Sequence, residues 1–311
     1  MANKRLLITG GTGFIGRNLA IRALKNGYDV TSLSRSAPST GEQIPEVSYI
    51  YADVANKDQL SDQLSSNCFE YVVNLSGNID HKPLENGGQK IYDVHAGGVC
   101  NLVDLLNRDS LKKFIQIGSS DEYGNQPAPQ HEGLQESPIS PYSSGKVAST
   151  QFLQKLHASE KFPVVVLRFF LVYGPEQSSE RFFPQIIKGC LESKHFPASA
   201  GTQLRDFCFI DDISRGILLA LDTTDDVDGE VINLASGEPI SIRDTIEKVQ
   251  RTVGSGTPRY GEIPFRKGEN KALVADITKA KALLNWNPII SIDEGIRRTV
   301  DAYRSPICND T

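Results

Sequence analysis

Along the first half of the chain, short apolar runs that end in glycine or a small polar turn alternate with longer stretches whose apolar residues recur at helical spacing. Arg5-Leu6-Leu7-Ile8-Thr9 runs into glycine, Ile15 to Asn26 follows the 3.6-residue period, and Tyr28-Asp29-Val30-Thr31-Ser32-Leu33 returns to a strand pattern, predicting a βαβ unit. Strand-like runs recur at 47–51, 71–75, 114–117 and 164–167, separated by helical patterns at 56–66, 88–109 and 143–160. Such alternation predicts an α/β fold, a doubly wound parallel Rossmann sheet with a smaller, interleaved C-terminal substrate-binding lobe.

The regularity breaks after Arg168, where a Pro- and Gly-punctuated stretch covers 174–205. The expected division is a dinucleotide-binding domain over 1–170, to which the chain returns at about 206–236, a substrate lobe made of 171–205 and 237–304, and a tail at 305–311. Composition narrows the class only slightly. A length of 311 residues permits a large core, and a net charge of −5 with acids and bases interspersed offers no basic face for nucleic acid. Only the four residues Leu6-Leu7-Ile8-Thr9 follow Met1-Ala2-Asn3-Lys4-Arg5 before glycine, and no run reaches membrane-spanning length, so a soluble, cytoplasmic protein is expected. The cysteines at 68, 100, 190, 208 and 308 are widely and irregularly spaced, which predicts ordinary thiols, mostly buried, and no metal site.

Two fragments carry the chemistry. In Thr9-Gly10-Gly11-Thr12-Gly13-Phe14-Ile15-Gly16, Gly10 makes a tight turn, Gly13 permits close approach to a pyrophosphate at a helix N-terminus, and Gly16 lets helix pack on sheet. Thr12, Phe14 and Ile15 complete the expected cofactor loop. The acid that would hold the adenosine ribose of NAD is missing, since the second strand ends Leu33-Ser34-Arg35-Ser36. Ser34 and Arg35 suit a 2′-phosphate instead, so NADP(H) is the preferred expectation and NAD(H) the alternative. In the second fragment, Tyr142 and Lys146 lie one helical turn apart after Pro138-Ile139-Ser140-Pro141, where a lysine can tune the phenol and bind a nicotinamide ribose. Ser119, in Ile117-Gly118-Ser119-Ser120-Asp121-Glu122-Tyr123-Gly124, can hydrogen-bond a substrate oxygen where a strand ends.

With Asp53-Val54, Arg168 to Pro175 and Gly201 to Phe207, these motifs resemble, over nearly the whole chain, the extended branch of the short-chain dehydrogenase/reductase superfamily, the nucleotide-sugar epimerases, dehydratases and ketoreductases. The resemblance implies that Ser119, Tyr142 and Lys146 form the catalytic triad, that Asp53, with Val54 and Leu75 beside it, meets the cofactor at its adenine, and that Arg205 and Arg266 approach a sugar-nucleotide diphosphate. Glu269 would hold the nucleotide ribose, and Ser120 would border the sugar. Asp121 stands where a 4,6-dehydratase carries a glutamate base; it is one methylene shorter, which weakens that reaction. The serine-rich run is most similar to GDP-4-keto-6-deoxymannose reductases, so the preferred expectation is reduction of an NDP-4-keto-6-deoxyhexose, with C4 epimerisation or 4,6-dehydration as alternatives. A non-catalytic NADP-binding sensor or scaffold is the competing class. Glu122 reads as a surface acid or a supporting one. His95 and Leu171 replace asparagines usual in the family, and Asn74-Leu75-Ser76-Gly77 replaces His-Leu-Ala-Ala. A homodimer paired through 88–109 and 143–160 is a further implication of the resemblance.

Overall fold

The computed structural model describes residues 4–39, 41–65, 67–265 and 270–304. Its centre is a parallel sheet built from β1 (Lys4–Thr9), β2 (Tyr28–Ser34), β3 (Ser48–Tyr51), β4 (Tyr71–Asn74), β5 (Lys113–Ser119), β6 (Val164–Phe169) and a strand that returns much later, Val231–Leu234. Their order runs from that late strand through β6, β5, β4 and β1 to β2 and β3, so the direction of winding reverses between β1 and β4. A crevice opens at such a reversal, beyond the carboxyl ends of the strands.

Alternation along β1 sorts the core into two layers. Leu6 and Ile8 join α1 (Phe14–Lys25) and a later helix, Ile210–Leu221, whereas Leu7 faces α2 (Lys57–Leu64), α3 (Gly88–Leu105) and α4 (Pro141–Glu160). Helix α3 is shorter than its apolar period predicts because Asn107 takes the chain into a turn, its Oδ1 accepting from the Asp109 N–H at 3.0 Å. Helix α4 starts two residues earlier than expected. Pro141 occupies its first position, and Ser140 and Ser143 cap each other's backbone N–H groups.

After β6 the chain forms β7 (Leu171–Tyr173), α5 (Phe182–Leu191), β8 (His195–Ala198) and β9 (Leu204–Phe209), then α6 (Ile210–Leu221), and re-enters the large sheet as β10 (Val231–Leu234) beside β6. β11 (Pro239–Ser241), α7 (Ile242–Val253), β12 (Thr257–Tyr260), β13 (Ala272–Leu273), α8 (Thr278–Leu284) and α9 (Ile292–Arg304) complete the described chain. Strands β7, β11 and β13 all pair with β9. A separate apolar core under this second sheet gathers Tyr173, Phe183, Phe207, Phe209, Ile246 and Ile296.

Candidate active site

On one side of the crevice the backbone comes unusually close to itself. Gly10 has φ +69, its N–H donates to Leu33 O at 2.7 Å, and a Cβ there would lie 2.9 Å from Leu75 O. A Cβ on Gly16 would lie 2.4 Å from Gly10 O, so α1 can seat against the loop only because that atom is missing. Gly13 caps α1 without a side-chain bond, and the first turn carries no acid. The N–H groups of Phe14 and Ile15 therefore head a helix end suited to phosphate. Thr12 turns the other way: its N–H and hydroxyl meet Ser34 Oγ at 3.2 and 3.0 Å.

Ser34 is buried against this loop and Arg35 is exposed. Asp53 ends the β3 connection half-buried, its Oδ1 accepting from Ala55 N–H at 2.9 Å, while Val54 is buried against Gly98 of α3. Beneath the crevice a buried polar ladder crosses three strands. Thr9 Oγ1 donates to Asn74 Oδ1 at 2.6 Å, and Asn74 Nδ2 donates to Gln116 Oε1 at 2.8 Å. The unusual Asn74 thus holds β1, β4 and β5 level.

On the other side, β5 delivers Ser119 and the first two turns of α4 deliver Tyr142 and Lys146, all three buried. Ser119 Oγ accepts from Asp121 N–H at 3.2 Å and stands near enough to the Tyr142 phenol to favour its ionised form. Lys146 Nζ donates to Ile117 O at 2.6 Å and lies 6.0 Å from the Tyr142 ring centroid. Burial raises the phenol above its usual range; the Ser119 bond opposes this, Asp121 and Glu122 add to it, and Arg181 opposes it. Burial brings Lys146 down to about 8, against a raising influence of the Glu122 carboxylate. The free site thus holds Tyr142 as the phenol and Lys146 close to neutrality, so the lysine's ammonium form is the group available to favour the phenolate that a base at a sugar hydroxyl requires.

Two histidines flank the tyrosine. His95, from α3, is buried with its ring edge-on to Tyr142 at 5.1 Å; burial, then the charge of Lys146, lowers it to about 3, so it is neutral at physiological pH. A Cβ on Gly77 would lie 2.0 Å from the His95 ring, and one on Gly145 3.0 Å from its Cβ, which shows how the Ser76-Gly77 departure accommodates the larger residue. His81 is exposed, packs edge-on at 5.2 Å, and approaches Asp121 Oδ2 with Nε2 at 3.6 Å. Burial raises the Asp121 carboxyl, with His81 and Arg205 opposing and Glu122 reinforcing the rise.

Ser120 is buried beside Ser119, and Arg205 Nη1 donates to Leu204 O at 2.8 Å and Asn270 O at 3.0 Å, close enough to act on Asp121. Asp206 accepts from Ser236 N–H and Oγ, Gly237 N–H and Ala275 N–H, clamping the second sheet. Arg266 and Glu269 lie outside the described residues. Phe183 is core, stacked on Tyr173 at 4.3 Å. Glu122 is fully buried, which removes the surface reading. Sequence reasoning missed His81 and Arg181, which stand near Tyr142 on loops without a period to mark them. Arg181 lines a cavity of about 500 Å³ with Asn78, Ile79, Asp80, Ser178 and Glu180. Among the described residues no group of histidine, cysteine and acid side chains could hold a metal ion, and no helix is long and apolar enough to cross a membrane.

Comparison with known proteins adds the family. The chain is 32% identical over 310 residues to a UDP-glucuronate 4-epimerase of Thermodesulfobacterium geofontis, covering 95% of this chain and 94% of that protein. It superposes on UDP-glucuronic acid 4-epimerase from Bacillus cereus, in complex with UDP-glucuronic acid and NAD, with a TM-score of 0.85 at 32% identity over 96% of this chain and 98% of that one. On the Thermotoga maritima UDP-glucose 4-epimerase with UDP-glucose, the TM-score is 0.89 at 26% identity, covering 96% and 98%. These relatives support the epimerase alternative above ketoreduction. They also give no support to an NADP preference. A model described as the NAD dependent epimerase/dehydratase family matches residues 6–235, and the chain belongs to that family, an enzyme of the extended short-chain dehydrogenase/reductase type.

Proposed function

We propose that the protein interconverts C4 epimers of a nucleotide-activated sugar with NAD as resident cofactor, and that the sugar is a hexuronate. The glycine loop and bare N-terminus of α1 would hold the pyrophosphate, and Lys146 the nicotinamide ribose. When bound, NAD supplies a hydride acceptor that returns the hydride without net consumption. Tyr142 would act in its phenolate form, which the Lys146 ammonium stabilises: it takes the C4 hydroxyl proton and becomes the phenol, while Ser119 hydrogen-bonds the same oxygen. Return of the proton from Tyr142 after the ring has presented its other face inverts C4. The crevice side would serve the dinucleotide, and the lobe around β9 the nucleotide sugar.

The observation that carries this reading is the buried Ser119–Tyr142–Lys146 unit in a chain similar over 95% of its length to a UDP-glucuronate 4-epimerase. Dehydration would require an added base at C5; Asp121 is short for that role and is drawn toward His81 at 3.6 Å. Arg181, a cation acting on Tyr142 from the cavity rim, supports a sugar carboxylate over a neutral hydroxymethyl group. The run Gly118 to Gly124 favours ketoreduction as a second reading. One experiment separates them: incubate the purified protein with UDP-glucuronate, UDP-glucose and NDP-4-keto-6-deoxyhexoses, and follow products by NMR and cofactor by absorbance. A C4 epimer of UDP-glucuronate without net change in NAD supports epimerisation, whereas stoichiometric NADPH oxidation with a keto sugar overturns it. Two copies would pair through the outer faces of α3 and α4, which sedimentation velocity tests.

A further inference from the structure

Glu122 lies in the short 3-10 turn that follows β5, and its carboxylate accepts from three elements, β5, α4 and β6. Oε1 accepts the Ser119 N–H at 2.8 Å. Oε2 accepts from Thr150 Oγ1 of α4 at 2.9 Å and from Arg168 Nε and Nη2 of β6 at 3.0 and 2.8 Å. Gly118 makes room for this arrangement, since a Cβ there would stand 2.6 Å from Glu122 Oε1 and 2.9 Å from Arg168 Cγ. Arg168, fully buried, also reaches Glu136 at 2.8 Å and lies 4.6 Å over the Tyr123 ring. A guanidinium is charged at every accessible pH, and in the interior it requires a carboxylate, so Glu122 acts as an anion.

Thr150 is one helical turn beyond Lys146 and two beyond Tyr142, on the same face of α4. Glu122 therefore ties the strand end carrying Ser119 to the helix face carrying the other two members. We propose that Glu122 is a positioning residue of the catalytic unit: it holds the Ser119 backbone against the Tyr142–Lys146 face of α4 and presents Lys146 with a buried negative charge. This role rests on the epimerase reading for its consequence in turnover, though not for its electrostatics. The charged and titratable groups around Glu122 are Asp121 in its own turn, Tyr142 and Lys146 on α4, Arg168 on β6, and, through Arg168, Tyr123 and Glu136. Its charge raises both Lys146 and Tyr142, so its removal lowers both.

The test compares wild type with Glu122→Gln and with Glu122→Gln/Arg168→Met, which removes both charges and leaves no buried cation alone should the single variant fail to fold. The expected result for the folded variant is NAD affinity within about threefold of wild type, kcat lower by about 10-fold or more with little change in KM, and the declining limb of the kcat profile moved acidward by about one pH unit. The second readout needs no substrate: ε-13C-lysine NMR, with Lys146 assigned by Lys146→Arg, should give a midpoint that falls from about 8 by about one unit. A folded variant in which the Lys146 midpoint and the profile stay in place overturns the proposal. Should wild type turn over no nucleotide sugar, the functional reading fails while the NMR midpoint still decides the role of Glu122.

Discussion

On the cofactor side of the crevice, Gly10, Gly11 and Gly16 act by lacking a side chain: an added Cβ would meet Leu75 O at 2.9 Å, Ser32 Oγ at 2.2 Å or Gly10 O at 2.4 Å. On the catalytic side, Ser119, Tyr142 and Lys146 are held by side chains and tuned by buried charge, with Glu122 and Arg168 behind them. The first side is a steric device and the second an electrostatic one. They should therefore break differently: volume should ruin cofactor binding without touching proton chemistry, and loss of one oxygen should ruin chemistry without touching cofactor binding.

Tyr142→Phe is the sharpest division. It removes the phenolic oxygen assigned to proton exchange beside Ser119, so kcat should fall by about 1,000-fold while NAD affinity, measured by calorimetry, stays within about threefold. Equal losses in both would mean that the two sides are not separable. Gly16→Ala should do the reverse at a smaller scale. Its Cβ would meet backbone at Gly10 O and at Gly11 Cα, 2.4 and 2.6 Å away, which cannot rotate aside. Overpacking of about 1–3 kcal/mol should weaken NAD by about 10- to 100-fold, with kcat at saturating cofactor nearly retained.

The same contrast explains what the sequence made readable. Steric requirements are local: the glycine loop sits between a strand pattern and a helix pattern, and Tyr142 and Lys146 share one turn of α4, so both fragments stand out along the chain. Electrostatic requirements are set by partners distant in sequence. Arg168 sits in the apolar run Val164 to Phe170, and nothing nearby announces that Glu122, 46 residues earlier, neutralises it. Ser34 beside Arg35 suggested a phosphate clamp because the strand pattern could not tell that the serine faces inward to Thr12. His95 and the Ser76-Gly77 departure are separate along the chain, but Gly77 and Gly145 vacate the space that the His95 ring fills beside Tyr142. His81 and Arg181 lie on loops whose course follows tertiary packing rather than any period.

A moderate effect should appear in the pH dependence. Burial lowers Lys146 to about 8 from its usual 10.5, so the ammonium is present below that pH and is lost as pH rises through it; kcat should decline above about 8. Stability should move the other way. Between about 8 and 10 the unfolded lysine holds a proton that the folded one has released, so this residue's contribution to unfolding free energy rises with pH in that window. Lys146→Met should abolish both trends, and a declining limb that survives in that variant's residual activity would assign the ionisation elsewhere.

Arg35→Ala is expected to do least. The side chain is exposed and Ser34, its intended partner, is turned to Thr12 at 3.0 Å, so in water at physiological salt a single unanchored cation contributes little to dinucleotide binding. NAD affinity should change by less than about twofold and NADP affinity by less than about fivefold, both read by calorimetry at one ionic strength. A collapse of NADP binding with NAD unchanged would mean that the end of β2 reorganises around a 2′-phosphate, turning Ser34 outward. The cofactor side would then also use charge, and the steric account of it would hold only for the pyrophosphate.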